Sequence, residues 1–204
     1  VLFRRQRQMC IRDRNNTILY FHGFKSSSDS TKAKDLHKFI SRRTRNTILI
    51  TPNIHDNFHD AHDQIINLIE SNQPNIFFMG SSLGGYYASF FSQKYNKKAV
   101  LINPAIPPLK DFEMHLGKNK NYSNGNKFII TKNDIDYIRS LSYKKILKPK
   151  NLMILLESGD EILNYNDASS YFSGSHIDVL YGGDHSHSSF KEKFNKIQDF
   201  LKIT

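Results

Sequence analysis

The chain has 204 residues, of which 38% are hydrophobic and 12% aromatic; this composition excludes intrinsic disorder and allows one domain with a full core. No stretch reaches the roughly 18 apolar residues that a membrane-spanning helix needs. The formal charge of +10 invites a nucleic-acid interpretation, but five arginines and one aspartate in residues 1–14 supply four of those charges. The other basic residues are spread along the chain, so no nucleic-acid partner is predicted.

Residues 1–14 carry neither strand nor helix periodicity, and no apolar stretch follows their arginines as it would in a secretory signal. The string from Arg7 to Arg14 resembles the peptide that results when sequencing-adapter reads are translated. We therefore expect residues 1–14 to be non-native or disordered and residues 15–204 to form a single domain. Cys10 is the only cysteine, so that domain cannot form a disulfide, which fits the reducing cytoplasm.

Short apolar strands alternate with helical segments from residue 17 onward. In chain order, the pattern predicts strand 17–21, helix 31–43, strand 47–51, helix 61–71, strand 76–79, a buried helix around 86–91, strand 99–102, helix 134–147, strand 152–156, helix 167–172, strand 177–181 and helix 188–202. Continuous apolar strands are typical of a parallel sheet covered by helices on both faces. The sequence therefore predicts an α/β fold with a mainly parallel sheet, whose ligands bind beyond the carboxyl ends of the strands. Residues 105–148 are interpreted as an excursion over that edge.

Ser82 lies at the centre of a Gly-x-Ser-x-Gly sequence that runs from Gly80 to Gly84. A serine at a sharp strand-to-helix turn needs small residues two positions to either side, because the backbone segments approach closely there. A Gly/Ser loop that merely joins a strand to a helix is the alternative. The apolar strand before the motif and the helical pattern after it favour a nucleophile elbow, with Ser82 as the nucleophile.

A serine hydroxyl is a weak nucleophile until a base takes its proton, and that base needs an orienting carboxylate. Three carboxylates, Glu157, Asp160 and Glu161, follow the apolar strand at 152–156. Asp160 is the predicted acid because it follows the glycine that ends the strand, whereas Glu157 is expected to point from the strand and Glu161 to begin the next turn. The non-catalytic interpretation of Asp160 is a helix N-cap.

The predicted base is His185, which follows two glycines after the strand at 177–181 and precedes the last helix. His187, two residues further on, is the alternative, and a solvated loop histidine is the non-catalytic interpretation of either residue. The chain order Ser82, Asp160, His185 is the order that α/β-hydrolases use. This order favours His185 and Asp160 as the partners of Ser82.

The carboxyl end of the first strand is expected to complete an oxyanion hole. There His22-Gly23-Phe24 forms a turn, and the backbone N–H groups of Phe24 and Leu83 are the predicted donors. His22 is expected to hold this loop rather than to act as a base. An ordinary strand-to-helix turn is the alternative interpretation.

The densest group of histidines and aspartates lies at a predicted helix entry and comprises His55, Asp56, His59, Asp60, His62 and Asp63. Residues spaced i, i+4 on a helix can bind zinc. Aspartates at a helix entry also cap the helix and interact favourably with its dipole. Neither a metal ion nor any other cofactor is predicted.

Five strings, at 19–24, 80–88, 103–105, 159–161 and 183–185, together resemble the YqiA/YcfP-like esterase family of small α/β-hydrolases. The resemblance covers nearly all of the chain from residue 17 onward. It implies a compact hydrolase with a minimal lid, a Ser82, Asp160 and His185 triad, and hydrolysis of short acyl esters or acyl-CoA thioesters. Such proteins commonly have asparagine where this chain has Asp184, so a carboxylate adjoins His185 and could compete for its hydrogen bond.

The predicted reaction is acyl transfer to water. Ser82 attacks the carbonyl carbon of a small-molecule acyl ester or thioester, His185 removes and returns the proton, and Asp160 holds the imidazole. A thioesterase or acyltransferase could use the same three residues. The alternative from another class is a catalytically silent binding or scaffold protein that retains the hydrolase fold.

Overall fold

The computed structural model describes residues 16–72 and 74–204, so the interpretation of residues 1–14 as non-native falls outside the described residues. In chain order, the strands are β1 (Asn16–Phe21), β2 (Thr47–Ile50), β3 (Ile76–Ser81), β4 (Ala99–Ile102), β5 (Gly117–Lys120), β6 (Lys127–Ile130), β7 (Leu152–Glu157) and β8 (His176–Leu180). Six of them form one parallel sheet in the order β2-β1-β3-β4-β7-β8. The carboxyl ends of these strands therefore meet at one edge.

Helices separate most of these strands along the chain. They are α1 (Thr31–Arg43), α2 (Phe58–Asn72), α3 (Leu83–Tyr95), α4 (Lys132–Ser140), α5 (Tyr165–Tyr171) and α6 (Phe194–Leu201). Ser30 caps α1 by accepting a hydrogen bond from the N–H of Ala33, and a capping box of Thr131 and Asp134 begins α4. Such caps satisfy N–H groups that the first turn of a helix leaves without intrahelical partners.

Two apolar clusters form the core, one on each side of the sheet. Neighbouring residues of a strand face opposite sides, so in β1 Leu19 and Phe21 join one cluster while Ile18 and Tyr20 join the other. Side chains of α2, α3, α4 and α5 cover the first cluster, and side chains of α1 and α6 cover the second. The prediction of an α/β fold with a mainly parallel sheet and helices on both faces is confirmed.

The excursion between β4 and β7 differs in detail from its predicted form. The Lys- and Asn-rich stretch contains an antiparallel hairpin of β5 and β6, which the sequence analysis missed. The helix predicted at 134–147 ends at Ser140. Beyond it, the N–H groups of Leu147 and Lys148 donate to the side-chain oxygen of Gln93 instead of to helical carbonyls, and Pro149 disfavours helical backbone in the residue before it.

The last predicted helix, 188–202, is wrong at its start. The N–H groups of Phe190 and Glu192 donate to the carbonyls of His187 and Ser189, three residues back, so the segment starts with 3-10 turns and not with an α-helix. A short 3-10 turn at Phe190–Lys193 follows, and α6 begins only at Phe194. The loop that carries His185 is therefore extended by several residues.

Candidate active site

Ser82 lies at the sharp turn between β3 and α3, as the elbow prediction requires. Its φ of 55° and ψ of −121° are a strained conformation for a non-glycine residue. A Cβ on Gly80 would overlap the carbonyl group of Gly84, and a Cβ on Gly84 would overlap the carbonyl group of Phe21. The two glycines thus allow the elbow to pack directly against the end of β1.

The structure brings Ser82, His185 and Asp160 together in a chain of hydrogen bonds. The Nε2 atom of His185 is 3.1 Å from the Oγ of Ser82, and its Nδ1 is 2.9 Å from each carboxylate oxygen of Asp160. Burial raises the pKa of Asp160, but hydrogen bonds from His185 and from the N–H groups of Ile162 and Leu163 outweigh it and lower the pKa below its ordinary value. Asp160 is therefore an anion at neutral pH.

The two alternative acids occupy different positions. Glu157 is fully buried at the end of β7, where its carboxylate accepts hydrogen bonds from the N–H of Asp184 (2.7 Å) and from Ser189. Glu161 accepts from the backbone N–H of His185 at 2.9 Å. In the described chain neither carboxylate is hydrogen-bonded to the imidazole of His185, which leaves Asp160 as its partner.

The cap interpretation of Asp160 is realised in part. Its Oδ1 accepts the N–H groups of Ile162 and Leu163 at 2.9 and 2.8 Å, but these belong to a turn, whereas α5 starts later with Asn164 as its cap. Asp160 thus holds its own turn and His185 at the same time. The alternative base, His187, is buried with its Nδ1 3.3 Å from Glu157 Oε1.

From the sequence, Glu157 has no predicted role besides that of an alternative acid. A carboxylate in a fully buried position must be hydrogen-bonded to be tolerated, and the partners of Glu157 lie in the loop around His185. Burial raises the pKa of Glu157, while hydrogen bonds from Ser189 and Asp184 and the nearby His187 lower it below its usual range. Its place at the end of an apolar strand was the signal that could have indicated this role.

The two residues with the predicted oxyanion donors line the same cavity. Phe24 and Leu83 both line the cavity that contains Ser82, and in the described part of the chain neither backbone N–H donates to a protein acceptor. A Cβ on Gly23 would lie 3.4 Å from the Cβ of Ser82, so the turn after β1 touches the elbow. Two free N–H groups beside Ser82 could therefore receive an anion.

His22 is hydrogen-bonded through both of its ring nitrogens. Its Nε2 accepts from the N–H of Ile54 at 3.0 Å, so Nδ1 carries the proton that it donates to the carbonyl of Gly23 at 2.9 Å. Burial lowers the pKa of His22, although the Gly23 carbonyl and the Asp56 carboxylate oppose this effect. The neutral imidazole thus ties the turn at Gly23 to the loop after β2.

We expect the stability that His22 contributes to depend on pH. The folded-state pKa is below the unfolded value of about 6.5, so the contribution is fully present above that pH and declines as the pH falls below it, by about 1.4 kcal/mol for each unit of difference. In thermal melts at about pH 7.5 and about pH 5.5, His22→Gln should lose less stability on acidification than the wild type. The exposed His37→Gln should match the wild type, and an equally steep loss in His22→Gln would contradict the assignment.

An open cavity of about 1360 Å³ surrounds Ser82 and His185 at the carboxyl edge of the sheet. Part of its wall is aromatic, because the ring of Phe24 lies 5.3 Å from that of Phe112 and 4.9 Å from that of His115. Four lysines also line it, namely Lys25, Lys32, Lys110 and Lys191. Three aspartates, Asp35, Asp111 and Asp167, line it as well, so the cavity offers apolar surface and charges of both signs.

The dense His/Asp group lies at the start of α2 and on the loop before it. His62 is 3.0 Å from the hydroxyl of Tyr137, and the ring of His59 stacks on the same tyrosine. Within residues 16–72 and 74–204, no group of three or more His, Cys, Asp or Glu side chains is arranged to hold a metal ion. Over the same residues, no helix has the length and apolar character needed to cross a bilayer.

The sequence profile of the uncharacterised protein family UPF0227 matches residues 17–202. The UPF0227 protein VP0969 of Vibrio parahaemolyticus is 27% identical over 188 residues, which cover 91% of this chain and 95% of that protein. The UPF0227 protein VV1_2072 of Vibrio vulnificus is 25% identical over 188 residues, which cover 91% of this chain and 94% of that protein. The similarity therefore spans both the sheet and the segments that carry Ser82, Asp160 and His185.

Solved structures of similar fold include the following three. Est1E from Butyrivibrio proteoclasticus has a TM-score of 0.63 and 13% sequence identity, and the match covers 93% of this chain and 88% of that protein. Mouse alpha/beta hydrolase domain-containing protein 10 has a TM-score of 0.63 and 16% sequence identity, and the match covers 91% of this chain and 89% of that protein. The esterase Pf2001 of Pyrococcus furiosus has a TM-score of 0.58 and 13% sequence identity, and the match covers 94% of this chain and 82% of that protein. The chain has the α/β-hydrolase fold.

Proposed function

The chain belongs to the UPF0227 family, as its resemblance to YqiA/YcfP-like proteins predicts, and we propose that it is a serine hydrolase that cleaves acyl esters or thioesters. The observation that carries the proposal is the continuous hydrogen-bonded line from the Oγ of Ser82 through the imidazole of His185 to Asp160. This is the arrangement that serine acyl transfer needs. Structural neighbours of the same fold include an esterase.

In the proposed first step, the Oγ of Ser82 attacks the substrate carbonyl carbon while Nε2 of His185 takes the hydroxyl proton. Asp160 accepts the Nδ1 proton of His185, which keeps Nε2 unprotonated before attack and stabilises the imidazolium that forms. The developing oxyanion meets the free N–H groups of Phe24 and Leu83. The tetrahedral intermediate collapses when His185 gives its proton to the leaving oxygen or sulfur.

The second step repeats this chemistry with water. His185 removes a proton from water, the resulting hydroxide attacks the acyl carbon, and the proton returns to the Oγ of Ser82 as the acid product leaves. Every proton in the cycle passes through Nε2 of His185. The chemistry therefore requires no group beyond the side chains and backbone N–H groups already described.

The cavity supports both substrate classes that the resemblance implies. Its volume of about 1360 Å³ exceeds the roughly 300–1,000 Å³ of ordinary ligand pockets, which leaves room for the bulky leaving group of an acyl-CoA thioester as well as for a short acyl ester. Its aromatic wall suits an apolar acyl group. Lys25, whose ammonium lies over the rings of Phe24 and Tyr122, supplies positive charge at the same wall.

Labelling with a fluorophosphonate probe tests the proposed function directly. We expect one covalent adduct per chain, which peptide mapping should locate on Ser82, because phosphonylation needs the same activated hydroxyl and the same anion site. A panel of p-nitrophenyl acetate, p-nitrophenyl butyrate and the matching acyl-CoA thioesters then separates ester from thioester preference. A protein that neither labels nor turns over any of them would favour the binding or scaffold alternative.

A further inference from the structure

The backbone N–H and the backbone carbonyl of Ser82 are both hydrogen-bonded to residues at the end of β4 and just beyond it. The N–H of Ser82 donates to the carbonyl of Ile102 at 3.0 Å, and the carbonyl of Ser82 accepts from the N–H of Ala105 at 3.1 Å. The elbow is therefore fixed on both sides to residues 102–105. Any group anchored in this short segment has a fixed position relative to the Oγ of Ser82.

Asn103 lies in that segment, and its side chain extends to the two neighbouring strand ends. Its Oδ1 accepts the N–H of Glu157 at 3.0 Å, and its Nδ2 donates to the carbonyls of Asp184 at 2.9 Å and His185 at 3.3 Å. The side chain is buried. Asn103 therefore contacts the strand that leads to Asp160 and the loop that carries His185, while its own backbone adjoins the elbow.

Glu157 holds the same loop from the opposite side. Its carboxylate accepts the N–H of Asp184, whereas the Nδ2 of Asn103 is bonded to the carbonyl of Asp184, so both polar backbone groups of the residue before His185 are held. A Cβ on Gly183 would overlap the carboxylate of Glu157. The backbone at His185 thus has little freedom to shift while both side chains are in place.

An amide is suited to this position for two physical reasons. It presents one acceptor and one donor in the same plane, which a carboxylate or an aliphatic side chain of similar size cannot do. The φ of Asn103 is 39°, and asparagine and aspartate tolerate left-handed backbone better than other non-glycine residues do. Position 103 therefore needs both the backbone tolerance and the two hydrogen-bonding groups of asparagine.

We propose that Asn103 is a positioning residue that sets the separation between the Oγ of Ser82 and the Nε2 of His185, without contacting the substrate. This role rests on the proposed function. A displacement of about 1 Å between reacting groups costs on the order of a hundredfold in rate. Loss of the Asn103 amide should therefore reduce the chemical step and leave substrate binding nearly unchanged.

Two substitutions test the role of Asn103. Asn103→Ala removes both hydrogen-bonding groups, and Asn103→Asp keeps the acceptor for Glu157 and the backbone tolerance but removes the donor to the His185 loop. With p-nitrophenyl butyrate, we expect kcat to fall by about a hundredfold in both variants, because the reacting atoms move apart, while KM stays within about threefold. The rate of fluorophosphonate labelling should fall in parallel with kcat.

Gln93→Ala is the matched control, because Gln93 is also a buried amide that holds a loop through backbone N–H groups, but those belong to Leu147 and Lys148, before β7. It should lose stability yet keep kcat within about twofold of the wild type. Wild-type kcat in both Asn103 variants, or an equal loss of kcat in Gln93→Ala, would overturn the positioning role alone. A wild-type protein without turnover or labelling would overturn the proposed function and this role together.

Discussion

Replacement of Ser82 by alanine is expected to abolish hydrolysis of p-nitrophenyl butyrate while leaving the melting temperature nearly unchanged. Without the Oγ there is no acyl-enzyme, and loss of a serine nucleophile costs about 10⁶-fold in kcat in a well-studied serine protease. The hydroxyl of Ser82 makes its hydrogen bond to His185 at the partly exposed edge of the cavity, so its loss removes little stability. Initial rates and a thermal melt of the same preparation measure both effects.

Ser89→Ala provides the matched control for this substitution. Ser89 is a buried serine on α3, the helix that follows Ser82, and it does not line the cavity around Ser82. We expect this variant to keep its activity within about twofold. Turnover in Ser82→Ala at more than about one part in a thousand of the wild-type rate would assign the nucleophile to another residue.

Gly84→Ala is expected to have the largest effect on stability. The added Cβ would overlap the carbonyl group of Phe21, which belongs to β1, a strand that is paired on both sides within the sheet. Neither backbone can yield unless α3 moves away from β1, and α3 carries much of the apolar cluster on that face. Overpacking of this kind exceeds the usual 1–3 kcal/mol, and we expect a loss of at least about 4 kcal/mol.

Urea unfolding measures the loss of stability in Gly84→Ala, and Gly23→Ala is the matched control. A Cβ on Gly23 would have its nearest neighbour at 3.4 Å, which is ordinary contact, so Gly23→Ala should lose less than about 1 kcal/mol. A total stability of about 5–15 kcal/mol is usual for a domain, so Gly84→Ala is expected to be largely unfolded if the wild type lies at the lower end. Equal stability of the two variants would refute the close approach of the elbow to β1.

The sheet could be predicted from the sequence because its central strands are buried on both faces. Burial on both faces requires unbroken apolar runs, and those at β3, β4 and β7 stand out from the polar segments around them. The candidate site could be predicted for a related reason. Ser82, Asp160 and His185 each follow a strand directly or closely, and parallel strands bring such residues to one edge.

The hairpin of β5 and β6 could not be predicted in the same way. Its strands have the sequences Gly-Lys-Asn-Lys and Lys-Phe-Ile-Ile, and only Ile130 among their side chains is buried. A short strand pair with so little burial leaves no alternation of apolar and polar residues to detect. The detail of the cavity wall escaped prediction as well, because the wall combines loops with residues of α1 and α5 that lie far apart in the chain.

The role of Glu157 and Asn103 depends on contacts between residues far apart in the chain. Asn103 and Asp184 are 81 positions apart, and Glu157 and Ser189 are 32 apart. Sequence spacing carries no information about such contacts unless the strand order is known. The order β3-β4-β7-β8 supplies that information, because it places the ends of these four strands side by side.

This strand order has a consequence for how such a protein can diversify. The groups that would perform the chemistry, Ser82, Asp160 and His185, follow the ends of β3, β7 and β8, whereas the long segment between β4 and β7, which contains the hairpin and α4, builds part of the cavity wall. Insertions, deletions or exchanges in that segment can alter which molecules enter without displacing the reacting atoms. Selection, natural or in the laboratory, can therefore change substrate range and reaction chemistry through separate sets of mutations.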